Sequence, residues 1–225
     1  MTSASYDEAA ARWTIRSEDG TVLSAQFFVM CVGQLSTTKS PSYPGQDLFK
    51  GEIIHSGVWP KHKVEFAGKR VAIIGTGSSG MQMTPVIAKE AAHLTVFQRT
   101  ANFSVPAANA PVTDEEDRQV KANYKARREQ AWNSPTGLGF MPNRQSALDV
   151  SPEEREKVYE AAWNRYGFGF ALAYHDILLS KPANDTAAEF IRRKIGAVIH
   201  DPVVRDKLTP KGHPFAARRP SVDSG

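Results

Sequence analysis

The string Gly75-Thr76-Gly77-Ser78-Ser79-Gly80 follows directly on the apolar run Arg70-Val71-Ala72-Ile73-Ile74. Glycines at this spacing, after a strand and ahead of a helix, cradle the pyrophosphate of a dinucleotide. Gly75 permits the tight turn, Gly77 lets the backbone approach the phosphates, and Gly80 lets the helix pack close on the strand. The phosphates then meet the free N–H groups and the positive end of that helix. The sequence predicts a strand at 70–74, a helix continuing over 81–90 and a second strand at 93–97. Pro85 must fall in the first turns of the helix or kink it. Where an NAD site offers a carboxylate to the ribose, this chain offers Gln98-Arg99-Thr100. A carboxylate repels a 2′-phosphate, whereas Arg99 can pair with it bidentately and Thr100 can donate a hydroxyl. NADP is therefore favoured over NAD. The competing reading of Arg99 is a surface arginine at a strand end.

The elements that position this turn belong to a chain of 225 residues, enough for one or two domains with a real core. Its hydrophobic fraction of 41% is ordinary for a globular protein. No run reaches the roughly 18 apolar residues that a membrane span requires. The first residues lack the basic and apolar segments of a signal peptide, so a cytoplasmic protein is expected. The net charge of +4 comes without a stripe of Lys/Arg interleaved with aromatics, and nucleic acid is not expected as a partner. Cys31, the single cysteine, lies in an apolar run and is expected to be a buried structural thiol. The histidines show no metal-ligand spacing, and no metal is expected.

Upstream of the turn, 13–17 and 21–26 read as two strands joined at Glu18-Asp19-Gly20, a hairpin signal. The first few residues read as a ragged start. The continuous apolar run 27–32, ending at Gly33, suits a strand buried on both faces. Residues 34–46 have loop composition. Downstream, 112–208 is mostly helical. Thr113 precedes a cluster of acids suited to a helix N-terminus, Ser151-Pro152-Glu153-Glu154 is a capping box, and Asn184 or Asp185 can cap a helix over 186–199. Asp201-Pro202 opens a short helix. The stretches 137–141 and 166–170 are Gly/aromatic loops that can line an apolar pocket or simply pack.

A further string, Phe49-x-Gly51-x-x-x-His55-x-x-x-Trp59-Pro60, stands just before the glycine turn. It resembles the signature of the Baeyer–Villiger monooxygenases. The stretch 68–80 resembles the NADP-domain turn of that family, and 96–106 resembles the strand and loop that follow it. Arg218-Arg219-Pro220-Ser221-Val222-Asp223 resembles its Lys/Arg-Arg-Pro-x-x-Asp segment. The resemblance implies an α/β chain with a Rossmann-like NADP-binding domain, a helical insertion and a remnant of a second, FAD-binding dinucleotide domain. The implied divisions are 1–45 for the FAD-domain remnant, 46–66 for an inter-domain linker, 67–111 for the NADP-binding core, 112–208 for the insertion and 209–225 for the return to the NADP domain.

The resemblance further implies the cofactors NADP and FAD, with a ketone and O2 as small-molecule partners. In the family NADPH reduces the flavin, a C4a-peroxyflavin forms, and the ketone becomes an ester or lactone. By motif match Arg219 is the arginine that stabilises developing oxyanion charge, and Arg218 lies near the NADP 2′-phosphate. The alternative for both is a basic pair in a loop. His55 either positions the linker or is an ordinary hydrogen-bonded histidine, and Trp59 either serves the motif or packs. The sister flavin monooxygenases that oxidise amines or sulfides, and a non-catalytic NADP-binding module, are the competing functions. No GxGxxG turn precedes Gly75, and the chain stops just after the Arg-Arg-Pro motif. An internal portion of such an enzyme is expected, unable to hold FAD tightly or to turn over alone.

Overall fold

A computed structural model of the chain describes residues 1–33, 37–107, 109–134, 136–139, 141, 143–165, 167–218 and 220–223. It divides into two compact units, Met1–Lys63 and Val64–Gly225.

The first unit opens with an antiparallel meander of β1 (Ser3–Asp7), β2 (Arg12–Arg16) and β3 (Val22–Ala25). Register runs Tyr6 opposite Trp13 and Trp13 opposite Ala25. The Tyr6, Trp13 and Phe28 rings form a chain of contacts, with centroids 5.3 Å and 5.5 Å apart. The turn between β2 and β3 needs the left-handed backbone of Gly20, φ 86°. The Asp19 carboxylate accepts the Ser17 hydroxyl and the Thr21 N–H, and these bonds lower its pKa to about 2.

Two expectations fail in this unit. The run 27–32 forms no strand, and Phe27, Val29, Met30 and Val32 are all exposed. Cys31 is exposed with them, not buried. The composition of the run suits a central strand, but a strand also needs a neighbour to satisfy its N–H and C=O groups. Among the described residues none runs beside it.

The second unit begins with β4 (Arg70–Ile74), α1 (Ser78–Ala88) and β5 (His93–Phe97). The two strands pair in parallel, Arg70 opposite His93 through Ile74 opposite Phe97. Pro85 is the eighth residue of α1, beyond its first turn, so the helix goes without the bond that an N–H there would donate to the Met81 carbonyl. β6 (Ser104–Pro106) follows and pairs in parallel with β7 (Ser221–Asp223) from the far end of the chain.

Between these strands lie α2 (Asp114–Ala122), α3 (Tyr124–Trp132), α4 (Pro152–Trp163), α5 (Lys181–Val198) and α6 (Pro202–Leu208). The core forms where α4, α5 and the 3-10 segment Gly167–Leu172 meet β6. Phe103, Tyr159, Phe170, Phe190 and Phe215 are nearly inaccessible there. Phe170 stacks on Phe190 at 5.6 Å, so this Gly/aromatic segment is core packing. Burial raises the pKa of Tyr159 to about 12, and its hydroxyl shares a 2.7 Å hydrogen bond with Thr186. Burial also opposes the charge on Asp176. The Ala147 N–H and Ser146 hydroxyl outweigh it and hold that carboxyl below its ordinary range.

Asn184 is not a helix cap. α5 starts three residues earlier at Lys181, with Pro182 in its first turn, where the absent N–H is harmless. Asn184 thereby enters the buried stripe of the helix beside Ala183, Ala187, Ala188 and Ile191. Among the described residues no helix is long and apolar enough to cross a membrane.

Candidate nucleotide site

The glycine turn stands between strand and helix as the sequence predicts, and two of its three glycines have a reason visible in the fold. Gly75 takes φ 102°, which side chains rarely tolerate, and its N–H donates to Phe97 O at 2.9 Å. That bond ties the turn to the end of β5. A β-carbon built on Gly80 would collide with the Gly75 carbonyl oxygen, so only glycine lets α1 rest on the turn. Gly77 is different: its backbone is extended, and a β-carbon would meet nothing within 4 Å. Nothing in the protein demands glycine there, whereas a ligand pressed against the backbone would.

Gly77 is also the N-cap of α1. The first-turn N–H groups of a helix have no intrahelical acceptor. Here no side chain caps them, and no acid stands in the first turn. Ser78 and Ser79 are exposed, and Thr76 is half-buried. This open, positively polarised helix end fits a pyrophosphate.

Beyond β5, Arg99 is exposed and Thr100 half-buried. The Gln98 amide donates from Nε2 to Lys207 O at 2.9 Å, fastening the strand end to the last turn of α6. Arg218 is exposed, while Arg219 lies outside the described residues. The β6–β7 pairing sets Ser104 opposite Ser221. The strand entered just after Arg218 therefore lies beside the strand entered just after Arg99. Residues more than a hundred positions apart are brought to one edge of the second unit.

Three side chains that sequence reasoning did not assign to the site hold this edge. Asn184 Nδ2 donates to Ile177 O and Phe215 O, and its Oδ1 accepts the Phe215 N–H, each at 2.9 Å. His213 Nε2 lies 3.1 Å from Ala101 O. Arg192 Nε donates to Pro210 O at 3.0 Å, and its guanidinium lies 5.6 Å from the Phe103 ring centroid. One signal was available in the sequence: Asn184 is a polar residue on an apolar helical stripe, where an amide must find partners.

The 49–60 motif lies in the first unit, and its spacing has local causes. The Phe49 ring occupies the space a Gly51 β-carbon would need, 2.6 Å away. His55 Nδ1 accepts the Gly57 N–H at 3.1 Å and caps the short 3-10 turn Ser56–Val58. Gly57 in turn leaves room for Thr38. Trp59 is 44% exposed and Pro60 half-buried. Among the described residues of this unit no strand, glycine turn and helix occur in succession, so they do not by themselves fit an FAD site. No group of metal-ligating side chains occurs among the described residues of the whole chain.

Residues 6–108 match the family model of flavin-binding monooxygenase-like proteins. A Baeyer–Villiger monooxygenase of Pseudooceanicola batsensis is 44% identical over 220 residues, 96% of this chain and 40% of that protein. A phenazine N-monooxygenase of Lysobacter antibioticus is 41% identical over 97% of this chain and 40% of its own length. Among solved structures, an oxidised steroid monooxygenase bound to NADP superimposes with a TM-score of 0.94 at 47% identity, covering 100% of this chain and 43% of that one. The chain spans about 40% of the length of the curated relatives it matches.

Proposed function

We propose that this chain, a homologue of the Baeyer–Villiger monooxygenases along nearly its whole length, is the NADPH-binding portion of a flavin-dependent enzyme that converts ketones to esters or lactones with O2. The observation that carries this reading is the N-terminus of α1, uncapped and fronted by the open face of Gly77. In this reading 67–111 is a Rossmann-like core, 112–208 a helical insertion and 209–225 the return to the core. Residues 1–45 contribute to an FAD-binding domain, and 46–66 link the two.

Gly75, Thr76, Gly77, Ser78, Ser79 and Gly80 bind the pyrophosphate through backbone N–H groups and the helix dipole. Arg99, Thr100 and Arg218 receive the 2′-phosphate, with guanidinium forks matched to phosphate oxygens. The nicotinamide, when bound, supplies a hydride. Arg219 is assigned to the oxyanion of the ketone adduct, where a fixed cation lowers the cost of developing charge. His55, capping its turn in the 49–60 motif, holds the linker and takes no proton from substrate.

Nucleotide titration of the purified chain tests the cofactor assignment. NADP+ is expected to bind more tightly than NAD+. Arg99→Ala is expected to weaken NADP+ by about ten- to a hundredfold, the scale of one charge-assisted pair, and to leave NAD+ nearly unchanged. Equal losses for both nucleotides would remove Arg99 from the 2′-phosphate. Adding FAD and desalting is expected to leave the chain colourless. A retained flavin band would place a flavin site within these residues.

A second reading, oxygenation of a ring nitrogen, is favoured by the likeness to phenazine N-monooxygenase. It uses the same nucleotide site. Product analysis with a cyclic ketone against an aromatic nitrogen heterocycle, in the enzyme containing this chain, separates the two.

A further inference from the structure

The strand end 98–101 and the segment 207–215 are joined at successive points. Gln98 holds Lys207 O, and His213 reaches Ala101 O. Phe103, two residues past Ala101, packs edge-on against both His213 and Phe215, with centroids 5.4 Å and 5.6 Å away. α5 grips the same segment from behind through Arg192 at Pro210 O and Asn184 at Phe215. The two bonds to Phe215 take its N–H and its C=O together. They fix the backbone of Phe215 on both sides of its α-carbon, three residues before Arg218.

We propose that Asn184 and His213 are positioning residues that register Arg218 against Arg99, so that helix α5 completes the 2′-phosphate subsite. The inference rests on the NADP reading above. A phosphate oxygen discriminates sharply by distance and angle. Two arginines from opposite ends of the second unit can share one phosphate only if their backbones are held in register. The glycine turn steadies only the Arg99 side of that register, through the Gly75 N–H bonded to Phe97 O. Asn184 is buried with every polar atom of its amide engaged. An apolar residue would serve packing there equally well, whereas an amide can both donate to and accept from the backbone of one residue.

The test is calorimetric titration of the chain with NADP+ and with NAD+, alongside thermal denaturation, for wild type, His213→Ala, His213→Gln and Asn184→Leu. His213→Ala is expected to weaken NADP+ by about tenfold, the loss of one well-placed hydrogen bond from Arg218 to the phosphate, and NAD+ by less than about twofold. His213→Gln, whose amide can still donate to Ala101 O, is expected to restore most of the difference. Asn184→Leu is expected to show the same selective loss. If it fails to fold, the His213 pair carries the test. Parallel losses of both nucleotides, or a fall in melting temperature with NADP+ selectivity intact, would overturn the proposal. Unaltered selectivity in the variants, with NADP+ still preferred by wild type, sinks the positioning role alone. A wild type with no preference for NADP+ sinks the cofactor reading and this inference together.

Discussion

In α2, α4 and α6 the first-turn N–H groups are answered by the chain itself. The Thr113 hydroxyl accepts the Glu116 N–H at 3.2 Å while Glu116 accepts the Thr113 N–H at 2.8 Å. Ser151 accepts from Glu154 at 3.1 Å, and Asp201 accepts from Val203 and Val204 at 2.8 Å and 2.9 Å. α1 begins instead at Gly77, which has no side chain to offer. Acids fill the first turn of α2 and of α4, and none stands in that of α1. A helix built only for stability takes a cap worth about 1 kcal/mol. A helix that forgoes it behind a glycine turn has donors open to an anion. α3 and α5 also start without a side-chain cap or a first-turn acid, so what sets α1 apart is the open N-terminus together with the glycine turn that leads into it.

The largest effect is expected where the open helix depends on close approach. Gly80→Ala pushes a methyl into the Gly75 carbonyl oxygen. It is expected to cost about 1–3 kcal/mol of stability and to eliminate NADP+ binding. Thermal denaturation and titration read both. Wild-type stability in this variant would mean that α1 does not rest on the turn.

Gly77→Asp sharpens the contrast, because it converts α1 into a helix of the capped kind. Its backbone already suits an ordinary residue, and no atom obstructs the side chain. Stability is expected to rise by a few tenths of a kcal/mol to about 1 kcal/mol. NADP+ affinity is expected to fall by about tenfold or more as a carboxylate faces the pyrophosphate. A variant that binds normally would break the comparison. Asp201→Ala does the reverse at α6: a loss of about 1 kcal/mol with NADP+ affinity unchanged. If binding fell with stability, α6 would belong to the site as well.

The smallest effect is a titration. The Thr113 N–H and hydroxyl hold the Glu116 pKa below its ordinary value of 4.5. A carboxyl with a depressed folded-state pKa contributes stability above its unfolded value and loses it as pH falls through the folded one. The Glu116 carboxyl resonance is therefore expected to titrate with a midpoint below 4.5, and Thr113→Ala to return it towards that value. An unchanged midpoint would mean the box is not formed in solution.

The local features of this chain were legible in its sequence because their causes are local. Strand 70–74, the glycine turn and the strand after it are set by an apolar run, three glycines and short separations. So are the caps at Thr113, Ser151 and Asp201, each a side chain reaching two or three residues forward. Two misreadings arose where composition stood in for partners. The run 27–32 has the residues of a central strand and no neighbouring strand to make it one. Asn184 has the chemistry of a cap, but α5 starts earlier and buries it.

Tertiary structure alone decided what stands beside Arg99. The β6–β7 pairing, the Gln98 bond to Lys207, the Asn184 bond to Phe215 and the His213 bond to Ala101 all join residues 31 to 117 positions apart. No periodicity or spacing encodes such contacts. They depend on how α4, α5 and β6 close a shared core around Phe103, Phe170 and Phe190. The residue types fixed what chemistry was available, and the packing of that core determined which of them meet.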